Sequence, residues 1–436
     1  MRQLPVAWVG LFLVATYLCS ADVGSAETLR WEASPAPGTA LAFAGRHVIV
    51  GGTTLAGYDA RTGDKEWETS SDPPSEISAL IEHRDRVFAA GTTSGPFAQR
   101  DLLVAAFHPK TGRQLWSDRV DYAGGIDFAD AVAAGGGRVF VVGITLEPDT
   151  FRPSAFIRAY DVRTGAHLWN DLVDLGLGSA FLTATEVEGQ VYLVAGIDGA
   201  GGGTAPFIIR AYNARTGALV WQDAPPGSDG ATVIAADHRR VFTGGTQADQ
   251  RGFVVRGYDR RDGRLIWEDS FFGGDISLVT GIALHKGRLL VSGVAGGLNV
   301  APENDNDPNV GSFVRAYDPK TGTVLWEEAA HAEGRGFVYL SLAAARDSAV
   351  VVGSRIEVGP GVPGFFSQRF SVRARDIETG ALQWEDLVGE TPGNAVAVEA
   401  RNGALVIAIG EATDLDDVTR SVMRAYDAAK HSQKSR

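Results

Sequence analysis

The chain has 436 residues, 44% of them hydrophobic and 21% charged, a globular composition that suits several ordinary domains or one large closed architecture. Its formal net charge of −13 argues against a nucleic-acid or anionic-membrane partner, since a phosphate surface repels it. The 54 glycines exceed the usual share of about 7%, which points to many turns between short strands.

The N-terminus has the layout of a secretory signal. Arg2 is the only early charge, Val6 to Leu18 is apolar, and cleavage after Ala21 or Ala26 would put Cys19 or Gly24 at the −3 position. That apolar run of about 13 residues is short for a bilayer span, which takes roughly 20, and no later run matches it. Residues 1–26 therefore read as a signal peptide and residues 27–436 as a single mature domain, exported to the periplasm or cell exterior with no transmembrane segment. Cys19, the one cysteine, is an alternative lipidation site, although Thr16 and Leu18 do not fit a lipobox. Cleavage at either alanine leaves no cysteine and hence no disulfide.

An internal repeat organises everything downstream. Its instances begin at Tyr58, Phe107, Tyr160, Tyr212, Tyr258, Tyr317 and Arg375. Nine residues on from each stands Trp67, Trp116, Trp169, Trp221, Trp267, Trp326 or Trp384. Successive tryptophans lie 46 to 59 residues apart, too long for a helical pair and right for four strands, one blade of a β-propeller. Between the aromatic and the Trp lies a tight turn: in Tyr160-Asp161-Val162-Arg163-Thr164-Gly165, Asp161 bonds its own backbone and Gly165 supplies the left-handed closing residue. Thr-Gly recurs in six of the seven copies, with Asp262-Gly263 in the other. A second hairpin precedes each turn, as in Gly135-Gly136-Gly137-Arg138 before Val139 to Val142. Four strands per unit, A to D from the axis outward, account for every copy.

An eighth unit is split between the termini. Ala404 to Ala408 and Met423 to Asp427 read as strands B and C, after which the chain ends without a Trp. Leu29-Arg30-Trp31-Glu32 supplies the missing D strand. The expectation is an all-β, eight-bladed propeller of four-stranded antiparallel blades, its ring closed by the N-terminal strand around Trp31, which removes two exposed edges.

The spacing Ala-x-Asp-x-x-x-Gly-x-x-x-Trp resembles the tryptophan-docking motif of pyrroloquinoline quinone (PQQ) repeat propellers. Ala159, Asp161, Gly165 and Trp169 fit it fully, as do Ala316, Asp318, Gly322 and Trp326. Asn213 and His108 replace the Asp in two copies, and Gly57 and Gly257 replace the Ala in two others. The resemblance implies that the repeated tryptophans, with Trp31, dock blade against blade. It also implies two functional classes: dehydrogenases of alcohols or sugars that use PQQ and calcium, and non-enzymatic members such as an outer-membrane assembly lipoprotein. The adjacent cysteine pair of many such dehydrogenases is missing, and no match is found for their calcium-binding Glu and Asn with a catalytic Asp. A monomeric, non-catalytic binding or scaffolding module without a cofactor is therefore the leading expectation, and a PQQ- and calcium-dependent quinoprotein dehydrogenase the alternative.

Loop length separates two faces. The B–C and D–A connections are the long ones and emerge together, so that face is expected to take a protein partner or a small ligand. At the mouth of the central channel, just before the A strands, stand Glu76, Asp127, Asp229, Asp275, Arg335 and Asn394; converging carboxylates there would hold a cation or share a proton. In one B–C loop Asp305, Asp307 and Asn309 alternate like the start of a calcium loop. Gly311 comes one residue late and Ala316 stands where a bidentate Glu is needed, so a polar surface loop is the stronger reading. Glu411, Asp414, Asp416 and Asp417 suggest a second acidic loop. C strands carry Arg158, Arg210, Arg256, Arg315, Arg373 and Arg424, which with the acids after each Trp predict an ion-pair ladder across strands. Each exposed pair would add at most about 1 kcal/mol.

Overall fold

The structure, a computed structural model, describes residues 28–93, 100–122, 124–150, 152–174, 179–198, 207–224, 228–247, 252–272, 277–295, 311–330, 335–358, 366–389, 393–401, 405–413 and 419–428. Among them the regular elements are strands alone, arranged as eight four-stranded antiparallel sheets. Blades 1 to 7 run Gly38–Thr69, Ser75–Val120, Ile126–Asp174, Ser179–Asp223, Ser228–Phe272, Ser277–Ala330 and Arg335–Val388. Blade 8 joins Gly393–Asp427 to the N-terminal strand Leu29–Ala33. Neighbouring A strands pack side by side all the way round, and that of blade 8 (Gly393–Arg401) meets that of blade 1 (Gly38–Ala44). The protein is an eight-bladed β-propeller. The signal-peptide residues and Cys19 lie outside the described residues.

Blades are apolar on both faces because each is sandwiched. In the B strand of blade 3 (Arg138–Leu146), Val139 and Val141 pack with Phe88 and Val104 of blade 2, while Phe140 and Val142 pack with Val191 and Leu193 of blade 4. A period of two thus sends successive side chains to opposite seams, and a continuous apolar run results.

The turn between strands C and D carries the docking. Asp161 Oδ1 accepts hydrogen bonds from the backbone N–H of Arg163 (3.0 Å) and Thr164 (2.9 Å), and Gly165 closes the turn at φ +73°. Trp116 of the preceding blade covers that glycine so closely that a Cβ there would lie 2.6 Å from its ring. Its indole N–H donates to Val162 O at 3.2 Å. Trp31 does the same across the closing seam, over Gly63 and onto Ala60 O at 3.1 Å. Removing one such indole should cost roughly 3 to 5 kcal/mol.

A strands share one irregularity. Register shifts place a bulge at Thr39, Ser78, Asp130, Thr232, Thr280, Leu340 and Val396, whereas the A strand of blade 4 pairs without one. A bulge re-aims the extra residue, here toward the next blade. Ser78 Oγ donates to Ala129 O at 2.6 Å, Thr280 Oγ1 to Tyr339 O at 2.7 Å, and Thr232 Oγ1 to Val279 O. These hydroxyls stitch successive A strands together around the channel.

Candidate functional site

A strands from six blades enclose a central cavity of about 290 Å³. Its described lining is hydroxyl-bearing or aliphatic, with Thr39, Ser78, Leu80, Thr183 and Val398, except for two carboxylates, Asp130 and Glu399. Asp130 occupies the bulge position that Ser78, Thr232 and Thr280 fill with a hydroxyl. Glu399 lies three residues past its own bulge, where other A strands have Ala42, Ala133, Ala235, Ala283 and Ala343. Desolvation by the surrounding channel wall raises each pKa, to about 7, but both side chains are exposed to the water in the channel, which screens them and weakens the shift.

Sequence reasoning missed both. An acid inside an A-strand run, Asp130 between two alanines and Glu399 between Val398 and Ala400, was the available signal.

The six residues expected before the A strands are placed differently. Glu76, Asp127, Asp229 and Asn394 are the second residues of the strands Ser75–Glu82, Ile126–Gly135, Ser228–Ala236 and Gly393–Arg401, and Arg335 opens Arg335–Ala345. They belong to the A strands because pairing with strand B continues to the channel mouth, as in Glu76 opposite Thr92 and Asn394 opposite Glu411. Nor do the described ones, Glu76, Asp127 and Asn394, converge as one ring. Glu76 and Asn394 come together, with Glu411, around a cavity of about 250 Å³ between blades 8, 1 and 2. Asn394 Oδ1 there accepts a hydrogen bond from Ser354 Oγ at 2.8 Å. Asp127 instead sits in the seam of blades 2 and 3, fully buried, with its Oδ2 accepting from the Tyr122 N–H at 3.0 Å. Burial raises its pKa to about 6 against that bond and a second one from the Thr145 hydroxyl, and the charges of Asp121 and Asp101 push the same way as burial. The side chains of Asp229 and Arg335, and the whole of Asp275, Asp305, Asp307 and Asn309, lie outside the described residues, as do Asp414, Asp416 and Asp417. Glu411 belongs to the strand Leu405–Thr413, not to a loop.

The ion-pair ladder forms within blades and also runs between them. Where an acid stands two residues after the Trp it faces the next blade: Asp171 takes Arg210 Nη1 at 3.0 Å and Tyr212 Oη at 2.9 Å, and Asp386 takes Arg424 Nη1 at 2.7 Å and Tyr426 Oη at 2.8 Å. Acids one residue after the Trp pair inside their own blade, as Arg256 with Glu268 at 2.7 Å.

Comparison with known proteins fits this geometry. A family of PQQ repeats described as outer membrane protein assembly factor BamB matches residues 22–173, 100–292 and 207–421. Over 177 residues, 40% of this chain, the sequence is 24% identical to a tetrathionate hydrolase of Acidithiobacillus ferrooxidans, and the match spans 33% of that protein's length. Among solved structures, a quinohemoprotein alcohol dehydrogenase of Pseudomonas putida HK5 superposes on 93% of this chain and 76% of its own, with TM-score 0.60 and 14% identity. BamB of Moraxella catarrhalis superposes on 92% of this chain and 99% of its own, with TM-score 0.55 and 13% identity. Identities this low speak to the fold alone.

Proposed function

From the premise that this chain belongs to the PQQ-repeat propeller family described as outer membrane protein assembly factor BamB, we propose that it is an exported, non-catalytic binding or scaffolding module that engages a partner protein or ligand through its B–C/D–A face. The observation that carries the reading is the channel lining. PQQ is a tricarboxylate, and a site for it needs cationic or metal-bound receptors. The described channel wall instead presents Asp130 and Glu399, whose ionised forms repel a polyanion. These residues do not fit the quinone. Two of the groups gathered on the long-loop face, Glu76 and Glu411, are carboxylates beside the amide of Asn394, so the partner chemistry that suits them is cationic or hydrogen-bond donating. Export is supported by the apolar N-terminal run and by the family's description as an outer membrane protein assembly factor.

One observation favours the alternative, a dehydrogenase using PQQ and calcium: Glu76, Asn394 and Glu411 offer oxygen ligands around a single cavity. Reconstitution separates the two. Protein incubated with PQQ and calcium should take up no stoichiometric quinone and show no dye-linked oxidation of alcohols or aldoses. In a pull-down from the native host, the double variant Glu76→Gln, Glu411→Gln should lose partner, while Arg163→Gln, Arg215→Gln and Arg261→Gln combined, on the opposite face, should keep it. Turnover with quinone, or the reverse pattern of loss, would overturn the scaffold reading.

A further inference from the structure

Three carboxylates from separate segments meet at the seam of blades 2 and 3. Asp101 immediately precedes a C strand (Leu102–Phe107), Asp121 immediately follows a D strand (Gln114–Val120), and Asp127 belongs to the next blade's A strand. One oxygen from each lies within 4.8 Å of the other two. Oxygens bound at about 2.4 Å to one calcium ion are at most about 4.8 Å apart, so the three fit a single shell. Backbone bonds hold them in place. Asp101 N–H donates to Thr93 Oγ1 at 2.9 Å, Asp127 N–H to Arg100 O at 2.8 Å, and Gly124 N–H to Asp121 Oδ1 at 2.6 Å.

Independent of the clustering is the state of Asp127. The side chain is 0% exposed, and its Oδ1 is buried with no hydrogen-bond partner among the described residues. An ionised oxygen so placed is strongly unfavourable unless something positive meets it. Arg119 pairs with Oδ2 of Asp101 and is 55% exposed, so that guanidinium offsets a neighbour, and the Thr145 hydroxyl beside Asp127 brings no charge.

We propose that Asp101, Asp121 and Asp127 form a divalent-cation site of calcium type, which ties blade 2 to blade 3 at the B–C/D–A face. All three ligands are hard carboxylate oxygens, the donor set of calcium and not of zinc or copper. Asp101 and Asp127 are buried while Asp121 is exposed, so an ion enters from the Asp121 side and water completes its shell. The site stands whichever partner the face takes.

The test uses the whole mature chain, first stripped with EGTA. Titration calorimetry with calcium chloride should give one saturable site, and terbium should luminesce on tyrosine excitation because Tyr122 adjoins two of the ligands. Asp121→Asn, at an exposed position that folding tolerates, should weaken calcium at least tenfold, and Asp127→Asn should weaken it further. Calcium should raise the melting temperature of the parent but not of Asp121→Asn. No saturable uptake up to about 10 mM calcium, beyond the weakest extracellular modules, would overturn the proposal. So would uptake that both variants leave unchanged, since the ion would then sit elsewhere. Stabilisation by Asp127→Asn with no calcium effect in the parent would mean that a proton, not a metal, meets Asp127.

Discussion

Trp116 and Trp384 hold the same place in their blades, yet the surfaces they dock on differ. Trp116 covers the glycine turn of blade 3, donates to Val162 O, and stacks on Tyr160 with centroids 6.0 Å apart. Trp384 faces blade 8, whose D strand comes from the other end of the chain and whose C strand therefore leads into no C–D turn. Its indole N–H has no acceptor among the described residues, and it lies closer to its tyrosine, 5.1 Å from Tyr426. The closing blade makes up the deficit on its far side. Arg30 Nε bonds Asp427 Oδ1 at 2.7 Å, Arg424 pairs with Glu32 at 2.6 Å, and Asp427 N–H donates to Thr28 O at 2.8 Å. Where an internal blade relies on a covalent turn, the closing blade relies on a backbone ladder and ion pairs between the termini.

The largest expected effect comes from breaking the closure. Deleting residues 28–34 leaves the strand Thr419–Asp427 as an open edge and uncovers Gly63. Calorimetry should then show loss of the single cooperative transition, with aggregation through the exposed edge. Trp31→Ala alone should cost roughly 3 to 5 kcal/mol in urea unfolding. An unchanged melting temperature on deletion would mean that the ring holds without its N-terminal strand.

A smaller effect sharpens the contrast between the two tryptophans. Trp116→Phe loses a hydrogen bond that Trp384→Phe does not have to lose. The first should therefore be the more destabilising by about 0.5 to 1.5 kcal/mol. Equal costs would show that the missing acceptor at the closing seam is supplied by another group.

The smallest effect belongs to the channel, where solvent around the exposed Asp130 and Glu399 screens most of what their shifts would otherwise contribute. Asp130 and Glu399 have pKa values raised to about 7 in the folded chain, from 3.8 and 4.5. Between those limits the folded chain holds protons that the unfolded chain has released, so their contribution to stability falls as pH rises from about 4 to about 7. Asp130→Asn should flatten that slope and stabilise the protein at pH 8, read as melting temperature against pH. A variant with the parent's slope would remove Asp130 as its source.

The ring was legible because its signal is local. The turn at Asp161 to Gly165 and Trp169 four residues beyond are consecutive in the chain, and Trp31 was left over once seven copies were complete. The channel was not legible, because what turns Asp130 inward is a register shift between two strands, which a single strand's pattern does not carry. Asp127 was singled out, but its neighbours Asp101 and Asp121 lie beyond the ends of strands in another blade. The ion pairs show the same limit on a finer scale. Glu268 and Asp269 are adjacent, yet a period of two sends the first to Arg256 within the blade and the second to Arg315 of the next. Spacing alone gave the charges and not which seam each one serves.

Closure between the termini also sets a timetable. Arg30 and Asp427 are 397 residues apart, and a ribosome adding about 5 to 20 residues per second needs roughly 20 to 80 s to cover that span. For that interval every nascent chain carries Leu29–Ala33 with its tryptophan but without the strand it will pair with. An unpaired strand that carries a large aromatic and must wait so long is a substrate for a holding chaperone, and the strand Thr419–Asp427 is the one that releases it.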